Sequence, residues 1–362
     1  MKTINPQADR PPECCVPGRI SGSRRQRRGV CRGKGLVAVL LVLWPTLSFG
    51  QNPPNSKESP MPIDVDGGIQ TLGGRQFWGD LVYFQGWRIQ ENSFSGSCRL
   101  LDPDNKKHAS GSRTECEAAL RQLRTEHRMP AMTGRAVILI HGIGRASQSF
   151  APMAEALRDK KYTVVGFDYP STQRPIPDCA DYLHSVIQSL EGISEIDFVC
   201  HSMGGLVLRA YLMKHGDPRI RRAVMCGVPN KGARLADLLK SNPIFKLALG
   251  PAGQQLASSS DEGLIEKLPT PTFEFGVLAG GRGQAKGYNP ILKGDNDFTV
   301  LVASTRLPGA SDFILLPVIH TFLTSDKRCV EAVCHYLHHG RFRADAAPQP
   351  IREDEPVPLR ED

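Results

Sequence analysis

From about residue 135 onward the chain alternates between two hydrophobic patterns. Continuous apolar runs occupy 136–140, 162–167, 196–200, 223–227, 272–278 and 313–318. Between most of them lie stretches with apolar residues at helical spacing, at 153–158, 181–190, 206–214 and 235–239. Runs this short are strands, and a strand apolar on both sides is buried on both faces. Strands that alternate with helices predict an α/β domain over 131–343, its mostly parallel sheet covered by helices on both faces. Such sheets hold ligands at the carboxyl ends of their strands.

The region 67–130 has a different pattern. An aromatic, β-prone run at 77–90 and a second strand at 97–101 precede a helix at 115–127, where Cys116, Ala119, Leu120 and Leu123 share a face. This small N-terminal β-rich extension is either a strand pair lengthening the edge of the main sheet or an accessory unit. Past residue 343 the chain is Pro-rich and charged, so 344–362 is expected to be a disordered tail. No internal repeat is present.

Charge changes the picture only at the N-terminus. The 362 residues carry a formal net charge of +8, which invites a nucleic-acid or membrane partner. Residues 1–35, however, hold nine Lys/Arg against Asp9 and Glu13 (net +7), whereas the remaining 36 Lys/Arg and 35 Asp/Glu net only +1. A nearly neutral body excludes a basic nucleic-acid groove. The basic segment leads into an apolar run at 36–49 that closes on Ser48-Phe49-Gly50, and then into a linker at 51–66 rich in proline (Pro53, Pro54, Pro60, Pro62). That order is the pattern of a signal peptide, or of an N-terminal anchor, over 1–50. The expected localisation is therefore export, as a periplasmic, secreted or membrane-anchored protein near a membrane. Seven cysteines lie beyond this leader without metal-ligand spacing. Cys200 and Cys226 sit in apolar runs as small hydrophobes, while Cys98 and Cys116 are either a disulfide or two unrelated thiols.

Chemistry is concentrated at strand ends. In the segment IDFVCHSMGGLVLR at 196–209, a strand stops near Cys200, Ser202 follows, and Gly204-Gly205 open a helix. A serine on such a turn is lifted clear of the sheet and faces the positive end of the helix dipole. Residues two before and two after it must be small; Gly204 is, and Cys200 stands where glycine is usual. The earlier segment VILIHGIG at 137–144 ends a buried strand with His141-Gly142-Ile143-Gly144. Acyl transfer needs two N–H groups aimed at a developing oxyanion. Met203, following the serine, supplies one and Ile143 the other, with His141 shaping the loop. An acid and then a base should follow. Asp295 and Asp297 in GDNDFTV are the acid candidates, and His320 at the end of FILLPVIHT is the base. His335, His338 and His339 lie on a final helix without that strand-end setting.

On these segments, together with GVPNKGARLADLL at 227–239, residues 135–340 resemble the α/β-hydrolase superfamily, in particular compact bacterial lipases and the GPI-inositol-deacylase-like group. The resemblance implies cleavage of a small-molecule or lipid ester, with Ser202 as nucleophile, His320 as base, Asp297 as acid, and an oxyanion hole from Ile143 and Met203. In that pattern the acid is usually followed by glycine, where this chain has Phe298. The expected activity is a serine esterase or lipase acting through an acyl-enzyme. The competing readings are an acyltransferase with the same triad and a catalytically silent binding module. No metal or organic cofactor is called for, and the oligomeric state is left open.

Overall fold

The chain is described by a computed structural model over residues 72–239, 241–257 and 263–353. The leader expected at 1–50 and the linker at 51–66 lie outside the described residues. The N-terminal extension consists of strands β1 (Trp78–Phe84), β2 (Trp87–Asn92), β3 (Cys98–Leu101) and β4 (Lys107–Gly111), followed by helix α1 (Arg113–Glu126). The strands pair antiparallel in chain order as a sheet of their own, so they do not lengthen the main sheet. The run read as one strand over 77–90 is two, because Gln85 and Gly86 both take positive φ (48° and 89°) and close a two-residue hairpin. The β4 strand was not predicted; its KHASG residues are mostly exposed and carry no apolar alternation. Helix α1 starts two residues before its expected start at Glu115, where Ser112 and Glu115 form a reciprocal capping box.

The main domain contains β5 (Gly134–Ile140), α2 (Ala151–Asp159), β6 (Thr163–Phe167), α3 (Ile176–Ser189), β7 (Ile193–His201), α4 (Met203–Lys214) and β8 (Ile220–Cys226). It continues through α5 (Arg234–Leu239), α6 (Pro243–Gln255), α7 (Leu264–Lys267), β9 (Glu274–Gly280), α8 (Val302–Thr305), β10 (Asp312–Leu316) and α9 (Lys327–His339). Its six strands are all parallel, in the order β10-β9-β8-β7-β5-β6. The two-sided burial read from the sequence is visible in β5: Ala136, Ile138 and Ile140 join one apolar cluster, while Val137 and Leu139 join the other. Helix α4 is buried from Met203 to Tyr211, which is why it is apolar on every side.

Residues 344–353 are not a free tail. The buried Asp312 carboxylate accepts the amides of Phe342 and Gln349 (2.7 Å each), and Ile351 exchanges two backbone bonds with Gly309 and Ala310. Ile351 itself is 3% exposed. An extended, Pro-rich segment can be held by docking its backbone on partners far away in sequence, which composition does not register. Among the described residues all seven cysteines are free thiols, and Cys98 on β3 and Cys116 on α1 share one buried cluster. No helix among them is long and apolar enough to cross a membrane.

Candidate active site

Ser202 occupies the single residue between β7 and α4, with φ 54° and ψ −128°. A non-glycine residue in this region costs on the order of 1–3 kcal/mol, and the surroundings impose it. Its N–H donates to Cys226 O at the end of β8 (3.0 Å). A Cβ on Gly204 would lie 2.3 Å from Ile140 O, and one on Gly205 would lie 2.4 Å from Val228, so α4 can approach the sheet this closely only with both glycines. Cys200 pairs with Ile140 within the sheet and packs in the core. Burial pushes its thiol pKa up, so Cys200 is no rival nucleophile.

His320 lies past β10 and opens a short 3-10 turn, His320–Phe322. Its Nδ1 is 2.6 Å from Asp297 Oδ2, and its N–H donates to Asp297 O (2.8 Å). A carboxylate only accepts, so Nδ1 carries the hydrogen and Nε2 keeps a free lone pair. The other Asp297 oxygen accepts from the amides of Thr299 (3.0 Å) and Val300 (2.7 Å), which fixes the carboxylate at full burial. Asp295 faces elsewhere: its side chain accepts the amides of Arg282, Gly283 and Asn296 and holds a loop. Phe298 has φ 88°, the backbone conformation that makes glycine usual at this place. Gly227 lies beneath the pair, since a Cβ there would lie 3.1 Å from His320 Nδ1 and 3.2 Å from Asp297 Oδ2.

The loop after β5 lies against the serine, with a Cβ on Gly142 falling 2.9 Å from Ser202 Cβ. Gly142 O accepts from His141 Nδ1 (2.8 Å) and from Arg145 N (3.2 Å). A trans peptide is planar, so holding that carbonyl aims the Ile143 N–H the opposite way. Among the described residues the Ile143 N–H has no acceptor. Met203 is the first helical residue, whose N–H has no partner within its helix. Among the described residues neither the Ile143 nor the Met203 amide is bonded to a protein acceptor. His141 shapes this loop: its ring stacks on Tyr169 (4.3 Å between centroids), and Tyr169 donates to His141 O.

His201 was not singled out from the sequence. It is buried beside Ser202, and its Nε2 donates to His320 O (3.0 Å), tying the elbow to the histidine turn. Burial first, and then the neighbouring His320, push its pKa well below the ordinary 6.5, so it stays neutral. Its Nδ1 is buried and has no partner among the described residues. Only the position next to Ser202 could have drawn attention to it. His335, His338 and His339 lie on and at the end of α9, away from these strand ends.

The described parts of the connection at 229–271, the cover, pack on the segments that follow β5 and β6. The expected helix near 235–239 is present as α5, and α6 and α7 follow it; the sequence hides α6 because Pro243, Gly250, Pro251 and Gly253 read as breakers. Helix α6 is two helical segments joined at Gly250, whose backbone is non-helical (φ 57°, ψ −155°). Beyond the kink it packs on the oxyanion-side loop: a Cβ on Gly253 would lie 3.6 Å from Ile143 Cδ1, and Gln255 Oε1 accepts from Ile176 N (2.8 Å). Buried Arg209 on α4 donates to the carbonyls of Asn230, Leu268 and Pro269, pinning both ends of the cover.

A family described as a domain of unknown function (DUF7379) matches residues 106–260. Among solved structures, the chain is similar to the mature form of a lipase from Bacillus licheniformis, at 20% identity over 56% of this chain and 90% of that one, with a TM-score of 0.46. It is also similar to a metagenomic carboxyl esterase, at 16% identity over 58% and 77% of the two chains, with a TM-score of 0.43. A thermophilic esterase from Thermogutta terrifontis matches at 18% identity over 57% and 91%, with a TM-score of 0.39.

Proposed function

We propose that this chain, built on an α/β-hydrolase fold, is a serine hydrolase that cleaves carboxylic esters through an acyl-enzyme. The observation that carries the reading is the 2.6 Å contact between His320 Nδ1 and Asp297 Oδ2 at the strand ends beside the strained Ser202. In this reading His320 Nε2 takes the Ser202 proton as Oγ attacks the ester carbonyl. Asp297 keeps the imidazole in the productive tautomer and stabilises the imidazolium. The Ile143 and Met203 amides receive the negative charge on the carbonyl oxygen. The alcohol leaves with the proton from His320, and water then cleaves the acyl-enzyme by the same steps.

The substrate proposed is a short- to medium-chain acyl ester, met outside the cytoplasm by an exported chain. The test is hydrolysis of p-nitrophenyl acetate, butyrate, octanoate and palmitate by the full chain, with Ser202→Ala as control. Hydrolysis that vanishes in the variant supports the reading. Hydrolysis that survives it removes Ser202 from its role.

A further inference from the structure

We propose that the N-terminal antiparallel sheet positions the oxyanion loop, with Gln76 as the residue that couples the two; this rests on the acyl-transfer reading above. Gln76 sits in the short 3-10 turn Leu72–Phe77 that leads into β1, and is 8% exposed. Both ends of its amide hold the loop. Nε2 donates to Arg145 O (3.2 Å), and Oε1 accepts from Ser171 Oγ (3.1 Å). Ser171 Oγ in turn accepts from Gly144 N (3.1 Å). Flipping the amide would set oxygen against the Arg145 carbonyl, so a single orientation satisfies the set.

These bonds fall where the loop is softest. Gly144 has φ 67°, and Arg145 N closes a four-residue turn onto Gly142 O. A glycine at this place leaves the Ile143–Gly144 peptide free to rotate unless its N–H is held. Gln76 holds that N–H through Ser171 and holds the Arg145 carbonyl directly. The downstream end of the loop has a second tie from the same sheet: Arg88 on β2 donates to Asp168 Oδ2 (2.9 Å), and Asp168 Oδ1 accepts from Ser147 N (2.6 Å). Asp168 itself is joined to β1 through Asp80, by Asp80 N to Asp168 O (2.9 Å) and Asp168 N to Asp80 Oδ2 (2.7 Å). An oxyanion donor accelerates the reaction only if it is aimed before the charge forms. The extension supplies that aim.

The test uses Gln76→Ala, Ser171→Ala and Ser171→Thr in the full chain. Two readouts are taken: amide hydrogen exchange over 142–147, and kcat and KM on p-nitrophenyl butyrate. Gln76→Ala is expected to speed exchange across 142–147 while α4 and the parallel sheet keep their protection. It should lower kcat about tenfold or more and leave KM within about threefold, a displaced donor costing less than the roughly 100- to 1,000-fold of a removed one. Ser171→Ala should behave alike and add nothing in the double variant, whereas Ser171→Thr keeps the hydroxyl and should restore the rate. If Gln76→Ala does not fold, Ser171→Ala decides by the same readouts. Unchanged exchange and kcat, or a change confined to KM, would overturn the proposal. If the unaltered chain hydrolyses no ester, the hydrolase reading fails by itself, and exchange at 142–147 still decides whether Gln76 holds the loop.

Discussion

A neutral imidazole can serve as a base only if its hydrogen is on the correct nitrogen, and at His320 the Asp297 carboxylate decides this. Asp297→Asn preserves shape but offers an N–H, turning the ring to the wrong tautomer, so turnover should fall by about four orders of magnitude. Asp295→Asn should cost far less in rate, because Asp295 binds the loop amides of Arg282, Gly283 and Asn296 and not His320. Steady-state kinetics on one ester compare the two, and the reverse ranking would move the acid to Asp295. His320→Ala and Ser202→Ala should each lose several orders of magnitude, with the double variant little worse than either, since the two act as a unit. The positions of Ser202 and His320 were legible from strand ends and the Ser-x-Gly turn. The choice between Asp295 and Asp297 was open from the residues, because both lie in one loop and only side-chain direction separates them. His201 offered only its place beside Ser202, and Gln76 no signal, since their roles depend on partners 119 and 69 residues away.

Elements whose burial is two-sided announce themselves; elements held by backbone bonds do not. All six parallel strands and α4 came from apolar runs. The polar β4, the Gln85–Gly86 turn and the docked segment 344–353 were missed, because what fixes them is hydrogen bonding and not apolar period. In the 229–271 connection, the segment after Gly250 packs against Ile143 and bonds to Ile176 at the start of α3. Arg209, whose pKa burial brings down to about 10, holds both ends through Asn230, Leu268 and Pro269. A pinned cover should not swing open at a lipid surface, although Leu238 and Leu247 are exposed on it. Rates should therefore change gradually with acyl length, one methylene counting for about 1–3 kcal/mol. A plot of rate against substrate concentration should pass smoothly through the solubility limit; a sharp rise there would show a mobile cover.

For the whole molecule, charge and pH behaviour follow from which groups are buried. His141 and His201 both have pKa values depressed below 6.5, chiefly by burial. As pH falls below 6.5 the unfolded chain gains protons that the folded chain refuses, so their contribution to stability is lost with falling pH. Asp80, pushed up to about 7 by burial first and by Asp168, works the other way: its contribution declines as pH rises from 3.8 toward 7. The histidine share is therefore read as a difference. Thermal midpoints of His201→Asn should fall less steeply than those of the unaltered chain between about pH 6.5 and 5. Parallel curves would mean that His201 does take up a proton when folded. The expected leader at 1–50 predicts an exported chain starting near Gln51, which N-terminal sequencing would reveal; an intact leader in a membrane fraction would mean an anchor.

All of this depends on Ser202 being a nucleophile activated from His320. Treating the full chain with a fluorophosphonate and mapping the adduct by peptide mass spectrometry tests that directly. The expected result is one adduct per chain, on Ser202, formed orders of magnitude more slowly in His320→Ala. An unlabelled folded chain, or an adduct on another serine, would contradict it.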